Sequence, residues 1–330
     1  MDNAGAKVLT TRGFITGTRD PRDLRPGTTY ERLRDGLTNH QRALWERLIK
    51  STWTFRNPAI TLAKLTFVPP PWRVKLADGT IILVPDRRSM YRIGRRYLFD
   101  HRTYGWTCKE TGIRVTLGGP TNLVLEKEDY SWLPVRGRVV VDVGANDGDT
   151  ALYFAARGAS KVYALEPYPY SVQLAHENLL RNPHVKQVTI LMQAVGAEGT
   201  LRIDPDFENT VGSAADSTGP TGVEVQKVPL SRLVRQLNLS DAILKMDCEG
   251  AEYDAILPAT DVTLRTFSHI QLEYHYGPES LAERLEAAGF EVSFTRSRYS
   301  FNPYISANPG MRAGYLYAMR KGPPTGSFAS

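Results

Sequence analysis

The sequence predicts an α/β protein built on a mostly parallel sheet with helices on both faces. Two observations carry this. From Arg138 onward, short continuous apolar runs alternate with helical segments, the pattern of strands buried on both sides. The first run, Val139–Val143, leads at once into a glycine-bearing turn and a helix, as in a βαβ unit that binds a ligand at its strand end.

Along the chain, strand Val139–Val143 leads to a helix over about 149–157, and strand Val162–Leu165 to a helix over about 170–180. A run at 188–194 reads as the third strand, and a polar excursion over about 204–221 comes after it. Strands at 243–246, 270–274, 291–295 and 315–319 complete the set, with helices at about 251–257 and 279–288 between them. Upstream, 74–76 and 81–84 flank Asp78-Gly79 and read as a hairpin, and 113–117 and 123–126 read as further strands. Tyr30 to Lys50 has helical spacing of Leu33, Leu37, Leu44 and Leu48. Four regions result: a basic arm with an amphipathic helix (1–71), a small strand-rich subdomain (72–137), a main domain (138–322) and a tail (323–330).

Composition narrows the function classes. The 330 residues, 42% hydrophobic and 23% charged, exclude a wholly disordered chain, and 27 Gly and 21 Pro without a register exclude collagen and solenoid repeats. Two cysteines, Cys108 and Cys248, make no disulfide framework, so a reducing, cytoplasmic setting is expected. No apolar stretch reaches the roughly 18 residues needed to cross a bilayer, and Met1 to Thr10 lacks the core of a secretory signal. Residues 30–72 remain a place for peripheral membrane contact.

Charge is uneven. Residues 1–138 carry 25 Lys+Arg and 13 Asp+Glu, a balance of +12, and residues 139–330 carry 16 and 22, a balance of −6. A basic front half can meet RNA, lipid head groups or a phosphorylated substrate, and Arg87, Arg88, Arg92, Arg95 and Arg96 interleave with Tyr91 and Tyr97. The same residues also suit an ordinary solvated helix face, which is the preferred reading.

The chemistry concentrates after the strands. The turn Val141-Asp142-Val143-Gly144-Ala145-Asn146-Asp147-Gly148 has the spacing G-x-x-x-G, not the G-x-G-x-x-G of dinucleotide binders. Its Asp142, Asp147 and Asp149 would repel a pyrophosphate at the helix N-terminus but suit a cationic, hydroxyl-rich ligand. S-adenosylmethionine has a sulfonium, an ammonium, a ribose and no phosphate, and it fits. Glu166 ends the second strand, 22 positions after Gly144, where an acid can accept from both ribose hydroxyls.

These residues resemble the FkbM family of S-adenosylmethionine-dependent methyltransferases. The resemblance is carried by VVDVGANDGDT (140–150), YALEP (163–167), LKMDCEGAEYDAI (244–256) and LEYH (272–275), and it covers about 130–321. It implies a Rossmann-like class I methyltransferase fold with a seven-stranded, mostly parallel sheet, and O-methylation of hydroxyls on saccharides, lipid-linked glycans or other small molecules. By position, Asp142, Gly144, Asn146 and Gly148 form the cofactor loop, Glu166 holds the ribose, and Gln193 and Ala194 lie beside adenine.

Asp247 and Glu249 leave strand four, and Glu273 and His275 leave strand five on one side. Transfer to a hydroxyl requires positioning and removal of a proton, so His275 is the expected general base, with Glu273 or Asp247 orienting its ring. The four groups could also hold a divalent metal; no spacing enforces it, and direct base catalysis is preferred. Two rival readings stand beside this one: an RNA methyltransferase using the basic half, and a non-catalytic nucleoside-binding or assembly module. Acceptor identity and oligomeric state are not encoded in any residue pattern.

Overall fold

The computed structural model describes residues 56–69, 72–75, 79, 81–84, 97–100, 105–108, 110–116, 129–203, 222–295, 297 and 312–322. The expected helix at 30–50, the Arg/Tyr stretch 87–96, the strand at 123–126, the polar excursion 204–221 and the tail 323–330 lie outside the described residues. The chain divides into two compact units, one of residues 27–129 and 177–184, the other of residues 1–26, 130–176 and 185–330.

In the first unit, helix α1 (Pro58–Phe67) precedes the hairpin of β1 (Trp72–Lys75) and β2 (Ile81–Val84), paired antiparallel from Trp72↔Val84 to Lys75↔Ile81. Trp72 and Val74 are buried while Arg73 and Lys75 are exposed, the period-two pattern of a one-faced strand. A second sheet joins β3 (Tyr97–Asp100), β4 (Gly105–Cys108) and β5 (Arg114–Thr116). The sequence pattern predicts β5 but not β3 and β4, whose four residues each carry no alternation. Asn182 completes β5 from outside the sheet. Its Oδ1 accepts from Arg114 N at 2.8 Å and its Nδ2 donates to Arg114 O at 2.6 Å, so one side-chain amide satisfies both backbone groups.

The second unit contains the α/β sheet. Its strands are β6 (Val139–Val143), β7 (Lys161–Leu165), β8 (Val188–Leu191), β12 (Ala242–Met246), β13 (Phe267–Tyr274), β14 (Phe290–Phe294) and β15 (Gly314–Arg320), in the spatial order β14-β15-β13-β12-β6-β7-β8. The pairs β8–β7, β7–β6, β6–β12 and β12–β13 are parallel, while β15 runs antiparallel to both β13 and β14. This is the expected seven-stranded, mostly parallel sheet. Helices α2 (Asp149–Ala156), α3 (Pro169–Leu180), α4 (Leu230–Gln236), α5 (Ala251–Ile256), α6 (Asp261–Leu264) and α7 (Glu279–Ala287) lie between the strands in sequence.

Alternation along the strands sends two different layers to the two faces. Val141, Val143, Leu244, Met246, Ile270 and Leu272 share one buried cluster with Leu233, Ile256, Leu281 and Leu285 of the helices. Residues of opposite parity, Asp142, Lys245 and Gln271, are also fully buried. On that parity Tyr315 and Tyr317 meet an aromatic layer, with Tyr130 against Phe154 and Tyr315, and Trp132 against Tyr317 at 5.3 Å. These contacts tie residues 130–137 into this unit, ahead of the boundary expected at 138.

The expected strand at 188–194 is two strands. It breaks at Met192-Gln193, where Gln193 N donates to Leu191 O, and β9 (Ala194–Val195) joins a separate sheet with β10 (Gly199–Ile203) and β11 (Val223–Val228) in the order β10-β11-β9. The run carries one polar residue at the break, Gln193, and hydropathy does not distinguish that from a single strand.

The sheet's carboxyl edge is pinned at Gly144. Its φ is +72°, and a Cβ there would lie 1.8 Å from the carbonyl oxygen of Asp247. Gly144→Ala therefore combines a left-handed backbone with a backbone clash. We expect it to lower stability by roughly 2–4 kcal/mol in urea unfolding, and a midpoint equal to that of the parent would contradict the packing described.

Candidate functional site

The site is built from the segments just past β6, β7, β12 and β13. At the end of β6, Asp142 is fully buried in register with Lys245 of β12. Lys245 Nζ lies 3.0 Å from Asp142 Oδ1 and donates to Gly144 O at 2.8 Å and Val143 O at 3.3 Å. The other oxygen of Asp142 accepts from the Thr150 hydroxyl at the start of α2. Burial pulls the Lys245 ammonium toward neutrality, but the charges of Asp142, Asp247 and Asp149 outweigh it and hold its pKa above the ordinary value. Lys245 is thus the strut that ties β6, β12 and the β6–α2 turn together, which accounts for a buried cation in an apolar strand.

The turn after β6 places Asn146 at φ 47° and leads through Gly148 into α2. Asp147 and Asp149 are buried there, and burial together with the neighbouring Asp147 charge raises the Asp149 carboxyl well above the usual range. Glu166, at the end of β7, faces this turn. Its Oε2 accepts from Asn146 N at 2.9 Å and its Oε1 from Tyr168 N at 3.0 Å. Burial raises its pKa to about 7, against the pull of those two amides. Gln193 is half-buried in the break after β8, and Ala194 is buried and paired with Lys227 in β9.

Past β12 the chain turns sharply. Glu249 has φ 54° and Gly250 φ 110°, and a Cβ on Gly250 would lie 2.8 Å from the Tyr276 ring. Glu252, fully buried in α5, reaches back across the turn: Oε1 accepts from Cys248 N at 2.7 Å and Oε2 from Gly250 N at 2.9 Å. Asp247, Glu249 and His275 each bring one donor atom within 4.8 Å of the others. The His275 ring is buried, with Nε2 3.2 Å from Glu249 Oε2 and Nδ1 3.3 Å from Glu252 Oε1. Tyr130 donates a long 3.4 Å hydrogen bond to Asp247 Oδ2.

Glu273 lies within β13 in register with Tyr315, and Glu249 and Glu252 flank the His275 ring. β13 ends at Tyr274, so His275 stands just past the strand. Burial would lower the His275 pKa, but the Glu252 and Glu249 carboxylates outweigh it and raise it well above the ordinary value.

Glu252, which the sequence places on the helix after strand four without a role, braces the site. Its signal is the spacing Glu249-Gly250-Ala251-Glu252, in which an acid at the start of a helix caps the turn behind it. Tyr130 and Tyr276 have no local signal. The Asp247 carboxyl is raised by burial, opposed by Lys245 and His275. Cys248 is raised well above the thiol range by burial and Glu252, so it remains an inert thiol, as a small strand-end residue should.

Residues 142–292 match the family described as Methyltransferase FkbM domain. The chain carries a methyltransferase FkbM domain. The matched span opens on Asp142 and includes the loop after β6, Glu166, Gln193, Asp247, Glu249, Glu252 and His275. An 81-residue stretch is 41% identical to ribosomal protein L11 methyltransferase of Carboxydothermus hydrogenoformans, and it covers 24% of this chain and 25% of that protein. The chain thus spans about a quarter of the length of the curated relative that it matches.

Among solved structures, ribosomal protein L11 methylase from Lactobacillus delbrueckii subsp. bulgaricus is 16% identical with a TM-score of 0.37, over 68% of this chain and 82% of that one. Magnesium protoporphyrin IX methyltransferase from Synechocystis, solved with bound SAM, is 14% identical with a TM-score of 0.33, over 59% of this chain and 77% of that one.

The methyl donor of FkbM methyltransferases is S-adenosylmethionine, and the donor set of this FkbM domain fits it. Each Glu166 oxygen accepts one backbone amide and keeps a lone pair for a ribose hydroxyl. The acid-rich turn suits a sulfonium rather than a phosphate.

Diol donation favours the ionised form of Glu166, so binding of S-adenosylhomocysteine should tighten as pH rises through about 7. Calorimetry at pH 6 and pH 8 checks it, and Glu166→Gln should bind more weakly and lose the pH response. Lys245→Met strands Asp142 as an unpaired buried acid and should cost roughly 3–5 kcal/mol in denaturant unfolding. A loss below about 1 kcal/mol would show that Lys245 is not the strut.

Proposed function

We propose that this methyltransferase transfers its methyl group to a hydroxyl oxygen of a saccharide or a related polyhydroxylated small molecule. The observation that supports it best is the placement of two distinct acidic sites past strands on either side of β6, Glu166 after β7 and the Asp247–Glu249–His275 group after β12 and β13.

In this reading Asp142, Gly144, Asn146, Gly148 and Glu166 hold the cofactor, with Gln193 and Ala194 at its adenine end. Bound there, S-adenosylmethionine supplies an electrophilic methyl carbon. Asp247 and Glu249 accept hydrogen bonds from the acceptor hydroxyl, and His275 holds the Glu249 carboxylate in place. The hydroxyl proton leaves through this acidic rim to water. Tyr276 is 44% exposed, and its ring packs over Gly250 beside Glu249. An exposed tyrosine face can lie on the apolar C–H face of a sugar ring while its hydroxyl stays wet. Catalysis is assigned to residues 130–322, with the strand-rich residues 72–129 as an accessory subdomain.

His275→Ala should retain S-adenosylhomocysteine affinity and lose turnover by about 10–100-fold, the loss expected when a positioning partner is removed. Incubation with a labelled methyl donor and panels of saccharides, other polyols and RNA, read by mass spectrometry, identifies the acceptor. Label on RNA bases, or undiminished turnover in His275→Ala, would overturn the reading.

A further inference from the structure

We propose that Asp247, Glu249 and His275 bind a hard divalent cation of the Mg²⁺ or Mn²⁺ type at the carboxyl ends of β12 and β13. What the cation does rests on the methyl-transfer reading above; its site does not.

The ligand geometry is supplied by the sheet. Asp247 and Glu249 leave β12, His275 leaves β13, and the two strands are paired in parallel register up to Met246↔Leu272. The three donor atoms lie within 4.8 Å of one another, and His275 Nε2 is 3.2 Å from Glu249 Oε2. Two ligands at right angles, each about 2.1 Å from a cation, stand about 3 Å apart, so this pair already has the separation of two ligands sharing one ion.

The imidazole is also backed as a metal-bound imidazole is. A ligating histidine directs its second nitrogen to a carboxylate, which fixes the ring and its tautomer. Here Nδ1 faces Glu252 at 3.3 Å, on the side of the ring away from Glu249. Glu252 is fully buried and anchored by Cys248 N and Gly250 N, so it is held behind the ring and takes no part in the cluster itself. A surface group of acids has no such backing. The arrangement turns Nε2 forward between Glu249 and Asp247.

Charge and donor type choose the ion. Three acidic side chains surround one imidazole, and the nearby ammonium of Lys245 is already committed to Asp142. Two carboxylates and one imidazole, with no thiolate, favour a hard cation over a thiophilic one. Three protein ligands leave coordination positions open for an acceptor hydroxyl. A cation there would lower the hydroxyl's pKa. The oxygen lone pair would form the O–CH₃ bond, the C–S pair would return to sulfur, and the hydroxyl proton would pass to water.

The test uses the full chain after chelator treatment, titrated with MnCl₂ by calorimetry and by loss of the free Mn²⁺ resonance signal. One saturable Mn²⁺ per chain is expected. Glu249→Gln and His275→Ala should each weaken it at least tenfold, with S-adenosylhomocysteine affinity changed less than twofold. Circular dichroism confirms that both variants fold, and the near-isosteric Glu249→Gln carries the test if His275→Ala does not. Absence of saturable Mn²⁺ binding, or binding unchanged in the folded variants, overturns the site. Saturable Mn²⁺ binding without any S-adenosylhomocysteine binding upholds the cation site while removing the methyl-transfer reading.

Discussion

The rest of this structure depends on one buried ion pair. Lys245 and Asp142 face each other across neighbouring strands, both out of water, in the middle of an apolar sheet. Such a pair costs desolvation energy on both sides and is retained only where its remaining valences are filled. Here they are, by Gly144 O, Val143 O and the Thr150 hydroxyl. The pair therefore joins the β6–α2 turn to the exit of β12, and the two halves of the site are fixed to each other. Its field also reaches outward: Lys245 draws down the carboxyls of Asp149, Glu166 and Asp247 against the effect of burial.

Two glutamates show how environment divides the work of one residue type. Glu166 and Glu252 are both buried and both accept two backbone amides. Glu252 also has the His275 ring beside it, which holds its pKa below the usual value, while Glu166 has no imidazole against it among the described residues and rises to about 7. The first is a fixed anion suited to positioning a ring. The second is an acceptor whose charge can track ligand binding. Burial alone would have pushed both upward, so the neighbouring imidazole decides the difference.

Much of the fold could be read from the sequence because its strands are short, apolar and uninterrupted, and because β6 and β12 bury almost every side chain. The glycine-acid turn and the Glu166 spacing are legible for the same reason: both depend on local geometry. The features that escape are set by contacts distant in sequence. The apolar run at 188–194 hides a change of sheet that only the partner strand β11 creates. His275 is identifiable as a site residue, but the acids that flank it, Glu249 and Glu252, come from the segment after another strand. Tyr130, 117 positions before Asp247, could be placed only by the folded chain.

The sheet order has a consequence for how the domain is assembled. Strand β15 is the last of the described strands in chain order, yet it lies between β13 and β14. Until it arrives, β13 ends the growing sheet with open backbone groups, and β14 has no strand to pair with. During vectorial synthesis the two would face each other across an empty lane. A nascent domain lacking its final strand thus carries two unpaired edges, the geometry most prone to capture by other chains, and closure must wait for the residues around 320 to emerge.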